Sequence, residues 1–178
     1  RFEVREGYGR LVVGPFVHIG PHARLRAHEG TLRIGRKTVI GIRNTINTWI
    51  DIEIGEACIF ADDIYVCDFD HIMDDINVPI KDQGIVKSPL RIGPDTWVAA
   101  KVTILRGTSI GRGCVLGAHA VVKGDIPDFS IAVGAPAKVV KNRKDMWDAN
   151  VAERAELERA LADIERKKEQ ARGLPGNA

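Results

Sequence analysis

The sequence has no long hydrophobic run, few aromatic residues and only three cysteines. No stretch approaches the roughly 18 consecutive apolar residues that a membrane-spanning helix requires. The first residues, RFEVREGYGR, lack the apolar core of a signal peptide. Cys58, Cys67 and Cys114 are an odd number at unrelated spacings, which fits neither a disulfide framework nor a zinc site. These absences favour a cytoplasmic protein without a membrane partner.

An excess of one charge sign is also absent, since 26 Lys and Arg residues stand against 24 Asp and Glu residues. No broad basic surface therefore points to a nucleic acid as the partner. The 178 residues are 44% hydrophobic, which is enough for one sizeable core. We expect one domain with a small appendage.

What the sequence does contain is a repeat of six residues. The repeated apolar residues are Val13, Ile19, Leu25, Ile34, Ile40, Ile46, Ile54, Phe60, Val66, Ile92, Val98, Ile104, Ile110, Leu116, Val122 and, after a short break, Ile131. Eight of the 18 glycines directly follow one of these residues. The fifth position of the repeat is small or β-branched in many repeats, as at Thr38, Cys58, Thr96, Thr108 and Cys114.

A period of six matches neither a helix nor a simple strand, but it fits a triangular solenoid in which three hexads close one coil. The first residue fills the interior, the glycine allows a tight corner, and the fifth residue packs inward. Each coil buries its apolar side only by stacking on the next, so about five coils stabilise one another. Cys58 and Cys114 are then core residues rather than nucleophiles.

Three breaks interrupt the repeat. Nine residues separate Leu25 from Ile34, eight separate Ile46 from Ile54, and twenty-six separate Val66 from Ile92. The longest break predicts an inserted loop at about 67–91, and loops of this length on a compact scaffold are commonly functional.

The chain after the last repeat has a different pattern. Strong helix formers dominate, and Trp147, Val151, Leu157, Leu161 and Ile164 recur at helical spacing. This predicts an amphipathic helix from about 145 to 171 that ends before Gly173. We therefore divide the chain into a domain at 1–143 and a C-terminal helix and tail at 144–178.

The stretch IGPDTWVAAKVTILRGTSIGRGCVLGAHAVVKGDIPDFSIAVGAPAKVVKNR resembles the hexapeptide-repeat acyltransferases, and within them the galactoside, maltose and xenobiotic O-acetyltransferase group. The resemblance runs from about Val13 to Arg143. It implies a left-handed parallel β-helix, a homotrimer with sites between adjacent subunits, and no metal. It also implies transfer of an acetyl group from acetyl-CoA to a hydroxyl of a small sugar-like or xenobiotic acceptor.

His71, in the segment CDFDHIMDD, is the candidate general base. An alcohol needs a group that accepts its proton, and a neutral imidazole suits that role near pH 7. His71 stands twenty-six residues before Trp97, and the catalytic histidine of the family lies at a similar distance before its tryptophan. Asp70 or Asp68 could orient the imidazole, as a carboxylate does in catalytic triads.

The resemblance also suggests residues that bind the two substrates. Ala100 and Ala118 match the positions whose backbone meets pantetheine, and Trp97 lies near the reacting end. Lys123, Lys138 and Lys141, the last two after the turn at Pro136, are candidates for the coenzyme A phosphates. Lys123 belongs to KGD, where the family often has Thr-Lys-Asp.

For the acceptor, the resemblance offers Asn44 and Asn47 in the NTINTW segment. We favour Asn44, because a polar residue at a fifth repeat position requires an explanation.

Two alternatives stay open. The acids around His71 could bind a divalent cation, as in a metal enzyme of the gamma carbonic anhydrase type. That type needs three converging histidines, and His18, His22, His28 and His119 do not show its spacing. The solenoid could also be a non-catalytic trimeric scaffold or binding module.

Overall fold

The computed structural model describes residues 1–172, with side chains through residue 166, and contains two compact units. Residues Arg1–Asn142 form a parallel β-solenoid, and helix α1 spans Arg143–Arg172. Most strands contain only two to four residues, as expected where each hexad contributes one short strand and one corner. The predicted fold class, a mainly β solenoid followed by a helix, is confirmed. The left-handed sense of the coil stays a prediction.

The solenoid has six coils, one more than the repeat count suggested. The first three contain β1 (Phe2–Val4), β2 (Arg10–Val13), β3 (His18–Ile19), β4 (Arg24–Ala27), β5 (Thr31–Ile34), β6 (Val39–Ile40), β7 (Thr45–Thr48), β8 (Asp51–Ile54) and β9 (Ile59–Phe60). The fourth contains β10 (Tyr65–Cys67), the inserted strands β11 (Phe69–His71) and β12 (Ile85–Lys87), β13 (Leu90–Ile92) and β14 (Trp97–Val98). The last two contain β15 (Thr103–Ile104), β16 (Ser109–Ile110), β17 (Val115–Leu116), β18 (Val121–Val122), β19 (Asp125–Ile126), β20 (Ser130–Val133) and β21 (Lys138–Asn142).

Strands from successive coils pair in parallel and form three faces. Face 1 is β1-β4-β7-β10-β15-β18, face 2 is β2-β5-β8-β13-β16-β19, and face 3 is β3-β6-β9-β14-β17-β20 with β21 antiparallel at its end. The repeat was missed at β1 because Phe2 precedes the first complete hexad. Phe2 is aligned with the interior residue Leu25 of the next coil but is itself 60% exposed, because no coil covers it on the other side.

The interior holds the apolar residues that the repeat predicted from Leu25 to Val122, which are buried. Val13 differs: it is 43% exposed, because its coil has no neighbour on one side. At the other end of the solenoid, the prediction that Ile131 is an interior residue was wrong. The chain shortens one corner so that Ile126 is interior, and Ala132 is the residue aligned with Leu116.

The glycines that follow the apolar residues allow close stacking rather than unusual backbone angles. A Cβ atom on Gly93 would lie 2.6 Å from the backbone carbon of Gly111 in the next coil. Positive φ angles occur instead two residues later, as at Ala57 and Asp95. The predicted role of these glycines is therefore corrected.

All three breaks in the repeat fall at the same corner, where the chain passes from face 1 to face 2. Residues 28–30, 49–50 and 68–89 connect those faces in the second, third and fourth coils. The insertions are thus stacked along one edge of the solenoid, which we call the insertion edge. The longest begins at Asp68 and ends at Pro89, within the predicted span of 67–91.

Helix α1 begins two residues earlier than predicted. The side chains of its apolar series are exposed: Trp147 at 66%, Val151 at 46%, Leu157 at 61%, Leu161 at 53% and Ile164 at 48%. The predicted helix end at Gly173 and the tail lie outside the described residues. Within the described part of the chain, no helix is long and apolar enough to cross a membrane.

Candidate active site

The inserted segment folds as a two-stranded hairpin that carries His71. Strand β11 pairs antiparallel with β12, so that Phe69 faces Lys87, Asp70 faces Val86 and His71 faces Ile85. A short 3-10 turn at Ile80–Asp82 lies between the two strands. Because side chains alternate along a strand, Phe69 and His71 share one side of the hairpin and Asp70 lies on the other.

His71 is exposed and lines an open cavity of about 600 Å³. The lining residues are Asp70, His71, Ile72, Met73, Asp74, Val86, Arg106 and Lys123. Arg106 and Lys123 come from the insertion edge of the fifth and sixth coils. The hairpin and the later coils therefore form one concave site around the predicted base.

Asp70 pairs with Arg106, which sequence reasoning missed. The Arg106 Nε atom donates to Asp70 Oδ2 at 2.7 Å, and Arg106 Nη1 lies 3.4 Å from Ser88 Oγ. Among the described residues, no hydrogen bond joins the His71 ring to Asp70 or Asp68. The predicted orientation of the imidazole by either carboxylate is therefore not found. The sequence did hold a signal for Arg106, because this arginine follows a repeat at the insertion edge, the same corner from which the long loop projects.

Asp68 is a structural anchor. Its buried carboxylate accepts backbone N–H groups of Trp49 at 2.6 Å, Ile50 at 2.8 Å and Asp51 at 2.7 Å. A buried carboxylate is costly unless donors of this kind surround it. Asp68 therefore ties the start of the insertion to the third coil.

Beside the hairpin lies a cluster of side chains that sequence reasoning also missed, and we call it the corner cluster. It consists of His28, Glu29, Trp49, Phe69 and Lys87. A second cavity of about 300 Å³ is lined by Glu29, Gly30, Trp49, Ile50 and Lys87.

Residues 89–124 match the family model described as bacterial transferase hexapeptide (six repeats). A probable acetyltransferase of Mycobacterium tuberculosis is 67% identical over 159 residues, which are 89% of this chain and 53% of that protein. Residues 89–124 therefore contain the hexapeptide repeat of this transferase family, and most of the chain is similar to a probable acetyltransferase. The chain spans about half the length of the curated relatives that it matches.

Solved structures of hexapeptide-repeat transferases support the fold. An acetyltransferase of Vibrio cholerae O1 biovar eltor complexed with acetyl-CoA has a TM-score of 0.64 at 24% identity, over 78% of this chain and 73% of that one. A galactoside acetyltransferase in complex with coenzyme A has a TM-score of 0.57 at 21% identity, over 77% of this chain and 66% of that one.

Asn44 is a core residue and not an acceptor ligand. Its side chain is fully buried, donates from Nδ2 to Ala61 O at 2.8 Å and accepts from Ile64 N at 2.7 Å. A side chain that is bonded inside the coil cannot meet a solvated acceptor, so our preference for Asn44 was wrong. Asn47 points outward from face 1 but is also buried, at 9% exposed, and its Oδ1 atom is 2.8 Å from His28 Nε2.

The residues predicted to bind coenzyme A lie in three regions. Ala100 and Ala118 occupy equivalent positions of successive coils, at the corner between face 3 and face 1, and the His119 N–H donates to Ala100 O at 3.0 Å. Trp97 is 50% exposed on face 3. Lys123 lies elsewhere, in the His71 cavity.

The remaining candidates follow β20. Pro136 is exposed in the turn before β21, and Lys138 and Lys141 are exposed on β21 itself. Within one chain, these residues and Lys123 therefore occupy different parts of the solenoid.

The cysteines of this chain are poor nucleophiles. Burial raises the pKa of the Cys67 thiol, and its Sγ atom lies 3.6 Å from Phe69 O. Burial also raises the pKa of Cys58, which is in the core, as is Cys114. A thiol with a raised pKa stays protonated at neutral pH. The predicted core role of Cys58 and Cys114 is confirmed.

The other histidines do not converge on His71. His18 lies on face 3, and His22 and His119 lie at the corner between face 3 and face 1. His28 is half-buried, not a free surface residue, because it stacks on Trp49. Among the side chains of residues 1–166, no three His, Cys, Asp or Glu residues are grouped as metal ligands would be.

Proposed function

We propose that this chain is an O-acetyltransferase that moves an acetyl group from acetyl-CoA to a hydroxyl of a small sugar-like or xenobiotic acceptor. The observation that carries the proposal is the position of His71, exposed in the wall of a cavity of about 600 Å³, in a chain that contains the hexapeptide repeat of a transferase family. The compartment that we expect is the reducing cytoplasm.

His71 acts as the general base in this proposal. One ring nitrogen accepts the proton of the acceptor hydroxyl while the oxygen attacks the thioester carbonyl carbon. The carbon–sulfur bond then breaks, and the imidazolium returns the proton to the departing thiolate. No acyl-enzyme forms, which is consistent with the burial of Cys67 and the raised pKa of its thiol.

Lys123 remains our candidate for an anionic group of coenzyme A. No described side chain forms an ion pair with it, and it lines the same cavity as His71, so its ammonium group is available to a phosphate.

We also propose a homotrimer. Val39, Ile59 and Trp97 are aligned across face 3 and are 39%, 53% and 50% exposed. Contiguous exposed apolar residues commonly mark an interface. A closed trimer would cover them and could bring Ala100, Ala118 and Pro136 of one subunit to the His71 cavity of another.

A pair of histidine variants tests the base. We expect His71→Asn to lower kcat by about 10²–10⁴-fold, because the proton of the hydroxyl loses its acceptor. The matched His22→Asn variant, exposed at another corner, should keep the rate. Activity is measured as acetyl-CoA-dependent thiol release against a panel of sugars and antibiotics, corrected for hydrolysis. Full activity of His71→Asn would exclude His71 as the base.

Binding of acetyl-CoA separates the enzyme from a scaffold. A ligand that binds the folded state raises the unfolding temperature, so both histidine variants should show the thermal shift of the unchanged protein. The absence of a shift in all three proteins would favour the non-catalytic scaffold.

A further inference from the structure

We propose that the corner cluster positions the catalytic hairpin, with Glu29 and Lys87 as the decisive pair. The effect on rate rests on the proposed function, whereas the effect on the hairpin does not. Three sets of contacts carry the inference.

The first contacts are those of the Trp49 ring, which touches both strands of the hairpin. The Phe69 ring of β11 meets it edge-on at 5.4 Å between centroids. The Lys87 ammonium of β12 lies 5.1 Å from the Trp49 ring centroid, a distance at which cation–π attraction operates. His28 of the second coil stacks on the same ring at 4.9 Å. Trp49 therefore links the hairpin to the second coil as well as to its own.

The second contacts are those of Glu29. Its Oε2 atom accepts from Lys87 Nζ at 2.7 Å and from Trp49 Nε1 at 2.8 Å. The hydrogen bond from Lys87 has the largest effect on the pKa of Glu29 and lowers it, and the hydrogen bond from Trp49 lowers it further. The carboxylate therefore stays ionised at neutral pH. One carboxylate of the second coil thus bonds the hairpin and the indole at once.

The third set of contacts is the pairing between the two hairpin strands, β11 and β12. Phe69 faces Lys87, and His71 faces Ile85 one step further out. An isolated two-stranded hairpin is only marginally stable, so contacts outside it decide where it lies. Fixing the Phe69–Lys87 pair therefore sets the position of His71, on the same side of the hairpin as Phe69. On the opposite side, the Asp70–Arg106 pair restrains the same strand.

The corner cluster is a positioning device rather than part of the reacting site. Lys87 and Glu29 do not line the His71 cavity. Lys87 is in the ion pair with Glu29 and lies over the indole, so its charge is already partnered. Loss of the Glu29–Lys87 ion pair should displace the His71 side chain, although the histidine itself is still present.

The kinetic test compares three substitutions at two lysines of the same hairpin. Lys87→Met keeps most of the aliphatic stem and removes the ammonium group. We expect kcat to fall by about 10- to 100-fold, since a small misplacement of a catalytic group has effects of this size. The KM for acetyl-CoA should change less than about 2-fold, because the substitution removes no contact that binds acetyl-CoA. Lys87→Arg, which keeps the charge, should retain most of the rate.

The control is Lys81→Met, the same substitution at the tip of the hairpin. Lys81 is exposed, and among the described side chains its ion-pair partner is its neighbour Asp82. It should leave kcat unchanged. A rate for Lys87→Met equal to that of Lys81→Met would overturn the positioning role.

Hydrogen exchange tests the position of the hairpin without any substrate. Lys87→Met and Glu29→Gln should each speed exchange of the amides in residues 69–72 and 84–87, while the amides of β16 and β17 stay protected. The double variant should be no faster than the faster single variant, because both remove the same contact. Unchanged exchange in both single variants, or additive effects in the double variant, would refute the inference.

The two readouts separate the possible failures. If the unchanged protein transfers no acetyl group, the proposed function fails and exchange alone decides the role of the corner cluster. If the unchanged protein is active and His71→Asn is inactive, while Lys87→Met keeps its rate, only the corner cluster inference fails.

Discussion

At the scale of single residues, hydrogen-bonding partners decide which polar side chains are free to meet a substrate. Asn44 and Asp68 are both buried, and each satisfies backbone groups of a neighbouring coil. His71 is exposed and, among the described residues, has no such partner. Residue type alone does not separate these cases, since all three are polar residues next to apolar repeats.

Replacement of Asn44 tests its structural role. Asn44→Ala leaves the Ile64 N–H and the Ala61 carbonyl without their partner, and each unsatisfied buried group costs about 1–3 kcal/mol. We expect the free energy of unfolding, measured with urea, to fall by about 2–5 kcal/mol. The exposed control Asn77→Ala should change it by less than about 0.5 kcal/mol. A stable Asn44→Ala protein with a raised KM for the acceptor would contradict this assignment.

At the scale of elements, the close stacking of coils determines which residues and which insertions each corner tolerates. The corner between face 2 and face 3 carries Gly14, Gly35, Gly55, Gly93 and Gly111 in successive coils. The insertion edge also has close contacts, as at Gly30, where a Cβ atom would lie 1.6 Å from Ile50 O, but its connections differ in length from coil to coil. The hairpin is the longest of these connections, and the strands before and after it still pair in register with the third coil.

Two glycine variants test the stacking argument. A Cβ atom at Gly93 would lie 2.6 Å from the Gly111 backbone, whereas at Gly117 the nearest atom, at 2.7 Å, is Cγ1 of the Val133 side chain. A side chain can rotate and a stacked backbone cannot. We therefore expect Gly93→Ala to lower the free energy of unfolding by about 1–3 kcal/mol and Gly117→Ala by less. Equal losses in urea titrations would contradict the argument.

At the scale of the whole molecule, the three faces differ in what they expose. Face 2 carries charged residues on its outside, including Arg33, Glu53 and Arg91, and Arg91 pairs with Glu53 at 3.3 Å. Face 3 carries Val39, Ile59 and Trp97 instead. This asymmetry makes face 3 the surface that we expect to be covered in a trimer.

The oligomeric state tests that expectation. We expect light scattering to give three times the chain mass for the unchanged protein. Ile59→Glu places a charge in the apolar row, and burying it unpaired is costly, so the trimer should dissociate. Ile76→Glu, at a residue that is 95% exposed on the hairpin, should remain trimeric. A monomeric unchanged protein would refute the trimer.

The sequence by itself determined the solenoid and the place of the inserted loop, while His71 as candidate base came from the family resemblance. The reason is that an interior position repeats every six residues and only apolar side chains fill it, so any interruption is visible. It could not determine the first coil at Phe2 or the interior Ala132, because incomplete hexads at the ends break the period. Only the tertiary structure decided that Asp70 pairs with Arg106, that Asn44 lies inside the coil, and that Glu29 reaches Lys87. These contacts join residues 17 to 58 positions apart, and they depend on which coils stack and which corner they share.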